Sequence, residues 1–156
     1  MLFLRAGLYA DSGLQVIYII LGCLGWYWWL YGGEQKTALK VAHVDKKTLV
    51  ILAILLPLIT APFTLYLRRI QDVAPFLDAL TTVLSLMAQY LLTKKFLENW
   101  YVWIMADILY IYLYAHKDLY LTSVLYAIFL FMCVRGLIEW KRTEQKVHHS
   151  SSYDHV

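Results

Sequence analysis

Trp100, Trp103, Asp107, Tyr110 and Tyr114 recur at steps of three and four residues inside the run ENWYVWIMADILYIYLY, Glu98 to Tyr114. On a helix those steps return to one face. The stripe joins aromatic faces to a single carboxylate, which is the chemistry of holding a ligand. Bond-making chemistry lacks its usual parts: the sequence offers no nucleophile and base pair, no metal cluster and no phosphate-cradling loop. The remaining residues of the run are mostly Ile, Leu, Val, Met and Ala, so Asp107 lies in a span apolar enough to sit in lipid. An ionisable group there costs a few kcal/mol or more unless it faces a partner or water, which marks it as functional.

A second polar stripe, Asp78, Thr82, Ser85 and Gln89, follows the same helical spacing in another apolar segment. Asp78 falls in the first turn after Pro75, where it either complements a helix N-terminus or lines a site. Gln15 places an amide in a third apolar segment, as a ligand contact or as interhelical glue. Tyr126 adds a hydroxyl further on.

The elements that must position these groups are helices in a bilayer. With 61% hydrophobic and 16% charged residues among 156, the chain has more apolar side chain than a soluble domain of this size can cover. Spans of about 20 residues are predicted near 13–31, 48–67, 74–92, 98–115 and 119–140. The expectation is five helices, a polar loop over 32–47 and a disordered polar tail over 141–156. Trp28 and Trp29 are expected at headgroup depth, Trp100 either there or in the site, and Asn99 as a cap for the fourth helix. His43 is read as a solvated loop residue. Cys23 and Cys133 lie inside spans, without a CxxC pair or ligand-spaced His, which speaks against disulfide and metal roles. No cofactor is expected.

The net charge of +3 resides in short connections, so its meaning is topological and nucleic acid is not an expected partner. Lys36, Lys40, Lys46, Lys47, Lys94, Lys95, Lys141, Arg142 and Lys146 fall on one side, against Arg5, Arg68, Arg69 and Lys117 on the other. Positive charge is retained inside, which predicts a cytoplasmic C-terminus.

Sliding the chain by 111 residues aligns Leu8, Tyr9, Ser12, Leu14, Ile17, Gly25 and Trp29 with Leu119, Tyr120, Ser123, Leu125, Ile128, Gly136 and Trp140. The first and fifth spans are therefore read as equivalents in a parallel repeat. If 74–140 is one three-helix unit and 48–67 a linker, then 1–31 is the last helix of another unit. Two helices are then missing upstream, and the chain reads as N-terminally truncated.

Leu8-Tyr9 through Gly25-Trp26-Tyr27-Trp28-Trp29, Phe76-Leu77-Asp78, Thr93-Lys94-Lys95, Glu98-Asn99-Trp100-Tyr101-Val102-Trp103 and Leu119-Tyr120 through Trp140 resemble the PnuC-type nicotinamide riboside transporters, relatives in fold of the SWEET transporters. The resemblance implies an all-α integral membrane protein of 3+1+3 architecture, here without its first two helices, in the inner (plasma) membrane. It also implies facilitated diffusion of nicotinamide riboside, or of a related vitamin such as thiamine or riboflavin, with trapping by a cytosolic kinase that feeds NAD biosynthesis, and a homotrimer. The residues suit such a ligand on their own terms. Trp100 and Trp103 offer stacking faces, and a pyridinium ring adds a cation-π attraction of about 0.5–2 kcal/mol. Asp107 can balance its charge or accept ribose hydroxyls. Gln15, Gln89, Asn99 and Tyr126 can orient it, with Asp78, Thr82, Ser85 and Tyr110 as polar lining or gate. Two competing readings are a membrane enzyme built on Asp78 and Asp107, and a non-transporting subunit that needs a partner.

Overall fold

The computed structural model describes residues 2–32 and 39–153, and the side chains of 16–32 and 39–145 within them. Five helices make up the element order: α1 (Leu2–Tyr31), α2 (Lys46–Arg69), α3 (Pro75–Thr93), α4 (Asn99–His116) and α5 (Tyr120–Tyr153). Among the described residues, α2, α3 and the Tyr120–Gln145 part of α5 are long and apolar enough to cross a bilayer, and Val16–Tyr31 is a shorter apolar helix. The protein is an all-α integral membrane protein. Helix α4 falls outside that set because its Trp, Tyr, Asp, Asn and His residues lower its hydropathy, and the Trp, Tyr and Asp among them carry the stripe.

Two elements run further than expected. α1 starts at Leu2, since Leu, Phe, Ala and Arg before the apolar span sustain a helix. α5 continues through the segment expected to be disordered, to Tyr153. No Gly or Pro follows Gly136 to stop it, and Lys, Arg, Glu and Gln are good helix formers.

The helix ends explain the connections. Asp45 caps α2, its carboxylate accepting from the Thr48 amide at 3.1 Å. Pro75 opens α3, where its missing N–H costs nothing. Asn99 is not the cap of α4: Glu98 holds that position, and the Asn99 amide instead donates to the Phe96 carbonyl within the preceding turn. Gln71, Lys95 and Asp118 each adopt a left-handed backbone, with φ of 60°, 58° and 57°. These residues reverse the chain between α2 and α3, α3 and α4, and α4 and α5.

α3 is the centre of the bundle, packing against α1, α2 and α4, while α5 packs on α4. Leu84, Ala106, Tyr110 and Leu113 form the buried core of the α3–α4 face, with Leu56, Leu77, Leu80 and Val102 against it. Outward faces remain apolar: Leu121 of α5 is 87% exposed and Leu58 of α2 64%, a surface that suits lipid.

The described part of the connection between α1 and α2, residues 39–45, is docked on the bundle. Ala42 accepts from the Leu97 amide at 2.9 Å and donates to the Lys95 carbonyl at 3.2 Å, while Lys95 Nζ donates to the Leu39 carbonyl at 2.6 Å. His43 lies between two carboxylates, Nδ1 at 2.7 Å from Glu98 and Nε2 at 2.9 Å from Glu144. With both ring nitrogens facing carboxylates the imidazolium form is favoured, and the Glu98 hydrogen bond first, then charge from both glutamates, raises the His43 pKa above 6.5. Stability from this clamp is complete below the unfolded pKa and fades as pH rises through the raised folded value. The melting temperature is therefore expected to fall between pH 6 and pH 8 by about a degree or two, the scale of a solvent-exposed pair. His43→Gln should flatten that part of the pH profile.

Candidate functional site

The stripe read from the sequence faces an open cavity of about 670 Å³ lined by residues of α1, α3, α4 and α5. Its volume lies in the range that holds small ligands. α4 contributes Trp100, Trp103, Asp107, Tyr110 and Tyr114, and α3 contributes Asp78, Thr81, Thr82 and Ser85. α5 adds Tyr126, Phe129, Met132 and Cys133, and α1 adds Tyr18.

α3 and α4 run in opposite directions, so the lining is graded from one end of the bundle to the other. At the end where α4 begins, the Trp100 ring lies on the backbone of α5 at Gly136 and meets Trp140 edge-on, with centroids 5.2 Å apart. Trp140 in turn meets Trp29 at 5.8 Å, and Trp29 Nε1 donates to the Leu92 carbonyl at 3.1 Å. Trp29 is thus part of the interior packing as well as near a helix end, and Lys94 sits over the neighbouring Trp28 ring at 3.7 Å. Trp100 Nε1 is buried and has no hydrogen-bond partner.

At mid-depth, Asp107 is 2% exposed and accepts from the Cys133 thiol at 3.3 Å. That single weak partner leaves most of the carboxylate's acceptor capacity for something in the cavity. Beyond it, Tyr110, Tyr114 and Tyr126 stack on one another, the closest pair being Tyr110 and Tyr126 at 4.4 Å. The Ser85 hydroxyl lies 3.1 Å from the Tyr110 hydroxyl. Asp78 ends the lining on that side, 2.6 Å from Lys117 Nζ.

Trp100, Trp103, Asp107, Tyr110, Tyr126, Asp78, Thr82 and Ser85 therefore share one cavity. Gln89 does not join them; it lines a second cavity of about 290 Å³ between α1 and α3, with Gly22, Gly25, Trp29 and Thr93. Asn99 is fully buried at the first position of α4 and belongs to neither set of lining residues, although its neighbour Trp100 lines the main cavity. The Gln15 side chain lies outside the described residues. Tyr18, Thr81, Phe129, Met132 and Cys133 were not anticipated. Tyr126, Phe129 and Cys133 stand three and four residues apart, so the α5 stripe had the same periodic signal as α4.

A multi-pass helical membrane protein with an aromatic cavity of small-ligand size is built to hold a solute within the bilayer. The chain belongs to the nicotinamide mononucleotide transporter family, which matches residues 1–142, and that family consists of membrane transporters and not enzymes. It is 28% identical over 165 residues to the nicotinamide riboside transporter PnuC of Escherichia coli (strain K12), covering 89% of this chain and 69% of that protein. With the PnuC of Neisseria mucosa it shares 32% identity over 89 residues, 53% of this chain and 34% of that one. The crystal structure of the vitamin B3 transporter PnuC superposes with a TM-score of 0.61 at 25% identity. That match covers 85% of this chain, which spans about three fifths (61%) of the length of the solved transporter.

Proposed function

We propose that this protein binds nicotinamide riboside in the cavity between α3, α4 and α5 and carries it across the membrane by facilitated diffusion. The observation that carries this reading is the joint presentation of Trp100, Trp103 and Asp107 to one cavity. A flat pyridinium ring stacks on indole faces with a cation-π gain of about 0.5–2 kcal/mol. The Asp107 carboxylate supplies the countercharge, and the tyrosine and serine hydroxyls accept and donate to ribose. The names of the relatives add support from outside the cavity.

A cytosolic kinase removing the product would make the flux unidirectional and feed NAD synthesis. The C-terminus faces the cytoplasm in this reading. Its support is the gathering of Lys40, Lys46, Lys47, Lys94 and Lys95 at the bundle end where the connections dock, against Arg68, Arg69 and Lys117 at the other. We also retain the parallel repeat, with α1 equivalent to α5 and α2 as linker in a 3+1+3 plan, and a homotrimeric assembly in the inner membrane.

The test is a titration of the purified protein with nicotinamide riboside, thiamine and riboflavin, followed by tryptophan fluorescence and by uptake into proteoliposomes. Saturable quenching and uptake are expected for nicotinamide riboside alone. A response confined to thiamine or riboflavin would reassign the substrate, and binding without uptake would make the chain a receptor subunit.

A further inference from the structure

Lys117 closes α4 as its C-cap residue, three positions past Tyr114, and its ammonium reaches Asp78, the carboxylate that lines the cavity at that end of the bundle. It meets Asp78 Oδ2 at 2.6 Å and Asp72 Oδ1 at 3.6 Å. All three side chains are about one fifth to one quarter exposed, so the cluster is not freely solvated, and through Asp78 it borders the cavity. Asp72 is held in place because its Oδ1 also accepts from the Ala74 amide at 3.2 Å, at the start of α3. Two carboxylates, one of them anchored by the turn before α3, thus share one ammonium on a long flexible stem. The three-residue cluster has one more carboxylate than ammonium and already contains an alternative seat for the lysine.

We propose that Lys117 is a displaceable gate selective for cations, resting on the pyridinium reading above. With no solute present the ammonium occupies Asp78 and staples the start of α3 to the end of α4 beside the cavity. A cationic solute takes Asp78, and Lys117 shifts to Asp72, so that no carboxylate is left unpaired. An uncharged solute of the same shape has nothing to exchange. The gate therefore discriminates by charge, where the tryptophans discriminate by flatness.

Calorimetric titration of the purified full chain with nicotinamide riboside, and with its uncharged 1,4-dihydropyridine form, tests this. Lys117→Met removes the internal competitor and is expected to tighten the pyridinium about three- to five-fold, the scale of a partly exposed ion pair, with the uncharged form unchanged. Asp72→Asn removes the alternative seat and is expected to weaken the pyridinium by a similar factor, again without effect on the uncharged form. Opposite shifts from two changes in one ion cluster are not what a simple structural staple gives. Equal shifts for both ligands, or an Asp72→Asn variant with unaltered pyridinium affinity, would overturn the gate, and Asp72→Asn decides it alone if Lys117→Met does not fold. Failure of the wild-type chain to bind either ligand refutes the substrate reading itself, and is distinct from variants that shift both.

Discussion

Trp103→Ala is expected to lower affinity for nicotinamide riboside by about ten- to a hundred-fold while leaving the helical content and melting temperature close to wild type. Stacking of a base-like ring on an aromatic side chain contributes about 1–3 kcal/mol when tested by alanine substitution, and each 1.4 kcal/mol is tenfold. Trp103 lines the cavity without joining the Trp29, Trp140 and Trp100 packing, so its removal enlarges the site more than it disturbs the bundle. Asp107→Asn separates charge from shape. The amide keeps an acceptor for the Cys133 thiol, yet loses the countercharge for a pyridinium. It should weaken the cationic ligand about tenfold or more, comparable to the loss of a charge-assisted contact of about 1.5–3 kcal/mol, and spare the uncharged dihydropyridine form. Equal binding of both forms by wild type and Asp107→Asn would remove Asp107 from the site. Trp100→Ala differs from both, since that ring also supports α5, and should lose stability together with binding.

Gly136→Ala is expected to destabilise the protein, against the usual sign for a helical glycine. Alanine in place of glycine inside a helix ordinarily gains about 1 kcal/mol. At Gly136 a Cβ atom would fall 2.6 Å from Trp100 ring carbons, far inside contact distance. The ring cannot simply retreat, because Trp140 stands at its side and Trp29 behind that. Overpacking of this kind costs about 1–3 kcal/mol, and a displaced Trp100 also spoils the stacking wall. The expected outcome is a fall in melting temperature with about tenfold weaker ligand binding, the latter from a shifted indole. Gly22→Ala is the matched control: nothing lies within 4 Å of a Cβ there, so only the helix gain remains. Opposite shifts in melting temperature for the two variants, measured in one detergent, are the result to look for. Shifts of equal sign would mean that Trp100 is not seated on α5 as described.

The α4 stripe was legible before any coordinates because helical spacing and hydropathy are local properties, and both depend on residues within a few turns of one another. The joint placement of Asp78, Thr82 and Ser85 with Trp103 and Asp107 was legible for the same reason, once two polar stripes were recognised in adjacent spans. The fates of His43 and Glu144 were not. Their pairing joins the α1–α2 connection to a helix about a hundred residues later, and nothing in the local composition of either segment encodes it. Asn99 was misread by its type: Asn favours caps, but Glu98 already stands at the position where the chain enters α4. Cys133 was weighed only for pairing and metal, which hid its place on the stripe shared with Tyr126 and Phe129. Lys117 was counted as a topological charge, and only the fold sets its ammonium between Asp72 and Asp78.

The left-handed residues Gln71, Lys95 and Asp118 reverse the chain within a few residues at each junction from α2 to α5. None is a glycine, so each holds a conformation of restricted width. Such joints behave as elbows set at one angle and have little slack for a sliding loop. In the proposed transport, exposing the cavity alternately to the two sides of the bilayer would then require whole helices to tilt as stiff rods. Spectroscopic labels on α2 and α5 should then report correlated rotation of the α2–α5 slab, with the travel taken up against α1.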